Sequence, residues 1–355
     1  ANGNWSIQSA HCLREEPIGW EDAAAIRANL RQFTSDDAWL DVLVKRVQSL
    51  RGHGVQSLRS PKLAAWQIEA FLSNPKYVPS PEIRAVFEAI LGNMRVHSWE
   101  SLVFHLSAAW QQFLSTVGSD DRVVIMRRLD LRDPAFSGNY SRSAEIKSDD
   151  WVYELIRDWT GNGFFVFDYA SKIENSGQWD GDTLVNLGTL RQWTNDSTFT
   201  GNVRFVYLDD WILTGNLTIG ALSHAARFAE ITDAFRMDVV TAFQSDDPWD
   251  LTDYLTRWPY QTKLSLHRAA GVATYIIPTL TSVTSLEERS LLFIDWMPPY
   301  SLGVLPYHRG DKFNNVRFRL DGSGAIYYSN APLPGARTVT LFDLLNLRVS
   351  DPPYR

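Results

Sequence analysis

From residue 19 to about 114 the apolar positions recur at three- and four-residue spacing, the signature of helices that each bury one stripe. Trp39, Leu40, Leu43, Val44 and Val47 form one such stripe, and Leu63, Trp66, Ile68, Phe71 and Leu72 form a second. A third comprises Trp99, Leu102, Val103, Leu106 and Trp110. Ser80-Pro81-Glu82 has the capping hydroxyl and first-turn proline of a helix start. These patterns predict an all-helical N-terminal domain over residues 1–118, with its tryptophans in the core. After Ser119-Asp120-Asp121 the texture changes to short apolar runs at 123–126, 164–167, 203–208, 237–243, 272–277 and 291–294. Helical stretches at 150–159, 217–231 and 248–258 fall between several of them. Strands alternating with helices predict an α/β domain with a parallel sheet over residues 119–355. Residues 316–329 alternate around Asp321-Gly-Ser-Gly and predict an appended hairpin.

Composition narrows the function classes. With 45% hydrophobic residues, including 14 Trp, 13 Tyr and 18 Phe, the 355-residue chain can fill two cores, which excludes a disordered chain. The net charge of -7 argues against broad, sequence-independent nucleic-acid binding, which needs a basic face. Arg122, Arg127, Arg128, Arg132, Arg142 and Lys147 are close in the chain, but acidic residues are interleaved with them, so a mixed solvated surface is expected. Cys12 is the single cysteine, which rules out an intrachain disulfide and a Cys-rich zinc module and suits a reducing, cytoplasmic compartment. No leader pattern opens the sequence, and no run nears the roughly 20 apolar residues of a membrane helix, so no membrane association is expected. The seven histidines show no paired metal-ligand spacing.

Candidate chemistry concentrates in Arg204-Phe-Val-Tyr-Leu-Asp209-Asp210-Trp-Ile-Leu213-Thr214-Gly215-Asn216-Leu217-Thr218. A buried strand is expected to deliver two carboxylates to its C-terminal end, from which a short loop leads into a helix. Ligands of open α/β sheets bind at that end. The helix N-terminus offers free N–H groups, and Gly215 would let the backbone approach an anion, so phosphate is the expected guest. Asp209 and Asp210 would then suit ribose hydroxyls or a magnesium ion.

An apolar strand followed by two acidic residues, three mostly apolar residues and Thr-Gly resembles the phosphoribosyl-pyrophosphate loop of type I phosphoribosyltransferases. The resemblance covers about 15 residues. It implies a phosphoribosyltransferase-like α/β domain over 119–355 that binds phosphoribosyl pyrophosphate or a nucleotide-like ligand with magnesium. Asp209 and Asp210 would be the catalytic pair that holds the ribose hydroxyls and, through them, the magnesium. Leu213, Thr214, Gly215, Asn216, Leu217 and Thr218 would wrap the 5′-phosphate. The chain departs from the family after Gly215, where a small residue and then Thr or Ser are usual.

The stretch 141–153, with Arg142, Lys147 and Ser148, resembles the candidate pyrophosphate loop of phosphoribosyltransferase-like proteins of bacterial antiviral conflict systems. Asp149 stands in place of a glycine there, putting a Cβ and a negative charge where pyrophosphate would approach. His308-Arg309-Gly-Asp-Lys312-Phe-Asn314-Asn315 resembles a stretch near the end of such proteins. The polar segment 169–200 would correspond to their flexible lid, or to an ordinary surface loop. The resemblance thus implies an antiviral defence component, an active transferase or a binding-only variant, whose helical domain serves a protein partner or homo-oligomerisation.

Two alternatives remain open. Tyr207-Leu-Asp209-Asp210 also resembles the catalytic hairpin of reverse transcriptases, with Asp130 on a first metal-binding strand, and two-metal chemistry needs carboxylates from two such strands. Against this, no Gln-Gly or Ser-Pro template-gripping element lies between them. A Trp-rich acidic chain without a clear His or Cys catalytic set also suits a viral coat or other structural protein. Asp295-Trp-Met-Pro-Pro-Tyr300 would line a base pocket or form a rigid turn.

Overall fold

The computed structural model describes residues 20–53, 55, 65–75, 78, 81, 84–85, 88, 95–129, 148–160, 165–170, 196, 198, 200–212, 215–226, 233–244, 249–269, 303–304, 317–320, 326–328 and 337–340. The chain divides into two compact units: Ala1–Leu102 with Ser245–Asp247 and Ala273–Pro353, and Val103–Gln244 with Pro248–Val272 and Tyr354–Arg355. The division therefore falls inside a helix rather than at residue 118.

The first unit opens with helices α1 (Ala23–Leu30) and α2 (Asp37–Ser49). Each has an aspartate cap that satisfies an orphan first-turn N–H: Asp22 accepts from Ala25 at 2.8 Å and Asp36 from Trp39 at 3.1 Å. Leu40, Leu43, Val44 and Val47 are buried, as their spacing predicts. In α3 (Ala65–Leu72) Ile68, Phe71 and Leu72 are buried but Trp66 is 69% exposed, contrary to the expected core role. Trp66 lies two residues before Ile68, about 200° around the helix, so it cannot share that stripe. The unit is also not all-helical. Its β1 (Arg95–Val96) pairs in parallel with β7 (Gly303–Val304). The expected hairpin is present as β8 (Arg317–Leu320) and β9 (Ile326–Tyr328), extended by β10 (Arg337–Thr340) to an antiparallel sheet of order β10-β8-β9.

Helix α4 (Trp99–Leu114) buries Trp99, Leu102, Val103, Leu106, Trp110 and Phe113 completely, and the division between the units falls within it.

The second unit is built on five parallel strands, β2 (Arg122–Leu129), β3 (Phe165–Ala170), β4 (Val203–Ile212), β5 (Phe235–Gln244) and β6 (Leu264–Arg268), in the order β3-β2-β4-β5-β6. Counted by appearance this is 2-1-3-4-5, a doubly wound order whose direction reverses between β2 and β4. Helix α5 (Ser148–Thr160) connects β2 to β3 and packs on β2 and β4. Helix α6 (Asn216–Ala225) connects β4 to β5 and packs on both, and α7 (Trp249–Arg257) connects β5 to β6 and packs on α6. The right-handed crossover rule sends α5 to one face and α6 and α7 to the other. The central strands read as continuous apolar runs because both faces are covered: all ten residues of β4 are buried, and only Arg236 is exposed in β5. Val203, Phe205, Tyr207, Phe235, Met237 and Val239 form the core beneath α6 and α7, meeting Ala221, Leu222, Ala225 and Leu251. Burying each aromatic among them contributes about 2–3 kcal/mol. The predicted strands 272–277 and 291–294 lie outside the described residues, whereas β6, too polar to stand out, was not anticipated.

On the opposite face an ion network ties the amino edge of the sheet. Arg204 forks onto Asp238 with two 2.7 Å bonds and donates to the Thr116 carbonyl, the Thr116 hydroxyl and Asp121 at 2.8, 2.9 and 3.2 Å. His267 Nε2 lies 2.7 Å from Asp238 Oδ1, and Phe113 of α4 packs against both the guanidinium and the imidazole. Burial opposes ionisation of Asp238, but the bonds from Arg204 and His267 outweigh it and hold the carboxyl below its ordinary range. Backbone meets backbone beside this network. A Cβ on Gly201 would lie 2.0 Å from the Asp120 carbonyl oxygen, and Asp121 accepts from the Asn202 N–H at 2.9 Å.

Candidate functional site

The strand–turn–helix expected around residues 203–218 is present, but β4 runs on to Ile212, so Asp209 and Asp210 lie within the strand and not at its end. They are only 2% and 0% exposed. Carboxylates are depleted from buried strands, which is why the sequence reading stopped the strand at Leu208. Local bonds make the exception tolerable: Asp209 Oδ1 accepts from the Asp210 N–H at 2.9 Å, and Oδ2 accepts from the Tyr207 hydroxyl at 3.2 Å. The ladder to β5 pairs Asp209 with Thr241 and resumes at Trp211 with Phe243, skipping Asp210. Alternation changes there too, since Ile212 joins the same core as Val203, Phe205 and Tyr207.

Beyond the strand, Gly215 has φ +93° and accepts the first helical bond of α6 from Ile219 N–H at 2.8 Å. The room a Cβ would take is filled by Leu251 of α7, whose Cβ would lie 2.3 Å away. Close approach at Gly215 is therefore to a helix, where the sequence reading expected an anion. The N–H groups of Asn216, Leu217 and Thr218 are left without intrahelical partners by helix geometry. Thr218 is 1% exposed and its Oγ1 has no hydrogen-bond partner. Leu217 is 42% exposed on the same turn.

At the end of the adjacent strand, Gln244 is 8% exposed and its Oε1 is likewise buried without a partner. Sequence reasoning missed it by closing the strand at Phe243. The available signal was an amide ending an apolar run. The Arg204–Asp238–His267 network was missed as well, although charged residues embedded in apolar strands mark it.

The other expected site residues separate from this group. Ser148 begins α5, which as a crossover helix starts at the carboxyl edge of the sheet but on the other face. Asp149 follows it within the helix. Asp130, Arg142, Lys147, Leu213, Thr214, His308 and residues 295–300 lie outside the described residues. Of the expected lid, Tyr169 and Ala170 belong to β3. Asp196 near its end accepts from Thr198 and lies 3.4 Å from Arg122 at the start of β2, at the amino edge away from the site.

The fit of a magnesium ion can be tested on the twin aspartates. Asp209 uses both oxygens on donors of its own strand, the Asp210 N–H and the Tyr207 hydroxyl, so the pair does not present the open carboxylate oxygens that a magnesium ion needs. Among the described residues no group of three or more His, Cys, Asp or Glu side chains could hold a metal ion. β4 pairs in parallel with both neighbours, which also differs from the antiparallel hairpin that the reverse-transcriptase resemblance implied.

His105 of α4 meets the ring of Phe243 at 5.2 Å, and Phe243 meets Trp211 at 5.2 Å. Burial pushes its imidazole down to about 4. The unfolded chain takes up this proton near pH 6.5 and the folded one only near 4, so stability falls as pH drops through that window, by about 2–3 kcal/mol at about 1.4 kcal/mol per unit. His105→Phe is expected to flatten that part of the curve. Urea midpoints for both proteins between pH 7 and 4.5 check it, and parallel curves would refute it.

The second unit is thus a doubly wound parallel α/β unit with a candidate anion site on the first turn of the helix that follows its middle strand. Comparison with protein-family models, curated proteins and solved structures gives no match. Among the described residues no helix is long and apolar enough to cross a membrane.

Proposed function

We propose that the second unit binds a ribose 5-phosphate compound, such as phosphoribosyl pyrophosphate or a nucleotide, with its phosphate on the first turn of α6. The observation that carries this reading is the Thr218 hydroxyl, buried without a partner in the first turn of a ten-residue helix at the carboxyl edge of a parallel sheet. A buried hydroxyl left unsatisfied is destabilising by about 1–3 kcal/mol, so its retention is explained by a ligand that completes it. Position supports the same reading, because α6 follows one of the two strands flanking the reversal of strand order, where ligands of such sheets bind. The engagement of both Asp209 oxygens by donors of its own strand favours a binding-only protein over a transferase, and no step through magnesium is required. On the phosphoribosyltransferase resemblance, the protein is a cytoplasmic nucleotide-sensing component of antiviral defence, and its first unit serves a protein partner or self-association.

The test is calorimetric titration of the full chain with ribose 5-phosphate and with phosphoribosyl pyrophosphate, for wild type and Thr218→Val. Wild type is expected to bind both. Thr218→Val is expected to bind about tenfold more weakly, the loss of one hydrogen bond to a charged group. No pyrophosphate release is expected from phosphoribosyl pyrophosphate. An absence of heat with wild type would remove the reading.

A further inference from the structure

We propose that Gln244 is a second ligand contact of this site: its side-chain carbonyl accepts a hydrogen bond from a ligand hydroxyl, making the site selective for a hydroxylated phosphate ester over inorganic phosphate. The inference rests on the α6 phosphate reading and deepens it.

The sheet register carries the placement. Gln244 pairs with Ile212, and register partners in a parallel ladder project to the same face. Ile212 belongs to the core formed with Ala221, Leu222 and Leu251, so that face is the one covered by α6 and α7. Thr218 precedes Ala221 and Leu222 by three and four residues and shares their helix stripe. Gln244 and Thr218 therefore both lie between the sheet and these helices at its carboxyl edge. Each is more than nine-tenths buried, and each has an oxygen without a partner.

Of the two orphaned oxygens, Thr218 Oγ1 can donate to phosphate, whereas Gln244 Oε1 only accepts and calls for a donor, which phosphate at neutral pH does not chiefly supply. The free N–H groups of the first turn of α6 suit the phosphate oxygens. The carbonyl of Gln244 suits a hydroxyl on the carbon skeleton attached to them. Asp209, expected to read ribose hydroxyls, has both oxygens bonded within β4, and Gln244, with its Oε1 unpartnered, takes that task at the end of the neighbouring strand.

The experiment titrates the full chain with ribose 5-phosphate and, separately, with inorganic phosphate. Wild type is expected to prefer ribose 5-phosphate. Gln244→Met, similar in shape but without the carbonyl, is expected to bind ribose 5-phosphate about tenfold more weakly while its inorganic-phosphate affinity stays within about twofold. It is also expected to raise the melting temperature of the unliganded protein, because it removes an unsatisfied buried acceptor. Gln244→Glu keeps an acceptor and is expected to retain the preference, which preserves the test if the methionine variant fails to fold. Unchanged ribose 5-phosphate binding in Gln244→Met, with wild type binding both probes, overturns the Gln244 assignment and leaves the phosphate site standing. An equal loss of both probes overturns the hydroxyl contact. Wild type binding neither probe overturns both proposals.

Discussion

Gly215→Ala is expected to destabilise the second unit by more than about 3 kcal/mol, while Gly220→Ala, five residues later, stabilises it by about 0.5–1 kcal/mol. The two glycines sit in opposite circumstances. Gly215 has φ +93°, where an L side chain is strained by about 1–3 kcal/mol. Its new Cβ would also lie 2.3 Å from Leu251 Cβ and 3.2 Å from Leu251 Cα, so backbone as well as side chain of α7 must retreat. That retreat would loosen Leu251, which is 1% exposed and part of the core of the second unit. Gly220 lies within α6 with nothing within 4 Å of a built Cβ, so alanine there gains helix propensity without a clash. Urea unfolding of the two variants beside wild type provides the measurement. Equal stability of Gly215→Ala and wild type would show that the turn into α6 does not press on α7. A loss in Gly220→Ala would show that the exposed side of α6 is covered.

The same region shows which parts of the fold were readable from residues alone. The apolar runs of β2, β4 and β5 announced buried strands because both sheet faces are covered, and the intervening amphipathic stretches announced their helices. Asp209 and Asp210 were misplaced for a physical reason: buried carboxylates are rare enough that they read as the end of a strand, and the bonds to Tyr207 and the Asp210 N–H that reverse this are made within the strand itself. Trp66 was assigned to the core by its chemical type, whereas its angle around α3 sets its exposure. The turn at Gly215 and the place of Thr218 on the first turn of α6 were legible from the turn-to-helix pattern. Gln244 was not, because its role depends on lying beside Ile212 in a neighbouring strand, and pairing across 32 positions leaves no local trace. The ion network was hidden by the same kind of distance, since Arg204, Asp238 and His267 meet only once three strands are side by side.

That network yields the second large effect. Asp238→Asn is expected to destabilise the second unit by about 3–5 kcal/mol, because the Arg204 guanidinium, 4% exposed, would lose the nearer of its two charged partners and keep only Asp121 while remaining buried. The asparagine side chain has nearly the shape of the aspartate, so cavity formation contributes little. Its amide NH2 would also stand where Oδ2 now accepts from Arg204 Nε, setting donor against donor. Arg204→Met is expected to cost about as much, by leaving the buried Asp238 with His267 alone. The double variant Arg204→Met with Asp238→Asn should lose less than the sum, with a coupling of about 1–3 kcal/mol, because neither charge is then stranded. Strictly additive losses would mean that the pair acts independently.

The acid limb of stability follows from the same geometry. Asp238 is held below its ordinary range, so the stability it adds is fully present above about pH 4 and is lost as pH falls through its lowered folded value. Asp121 behaves alike: burial opposes its ionisation, but the N–H groups of Asn202 and Gly118 and then Arg204 outweigh that opposition. In Asp238→Asn the decline below pH 4 should be shallower than in wild type, although the variant is less stable throughout. This window lies below the one assigned to His105, so the two contributions separate along one pH series. Because Arg204 and Asp238 stand at the amino edge on the α4 face, and Thr218 and Gln244 at the carboxyl edge beneath α6, Asp238→Asn that remains folded should bind ribose 5-phosphate as wild type does. A weakened affinity at full folding would mean that the network shapes the site across the sheet and is not confined to holding the strands together.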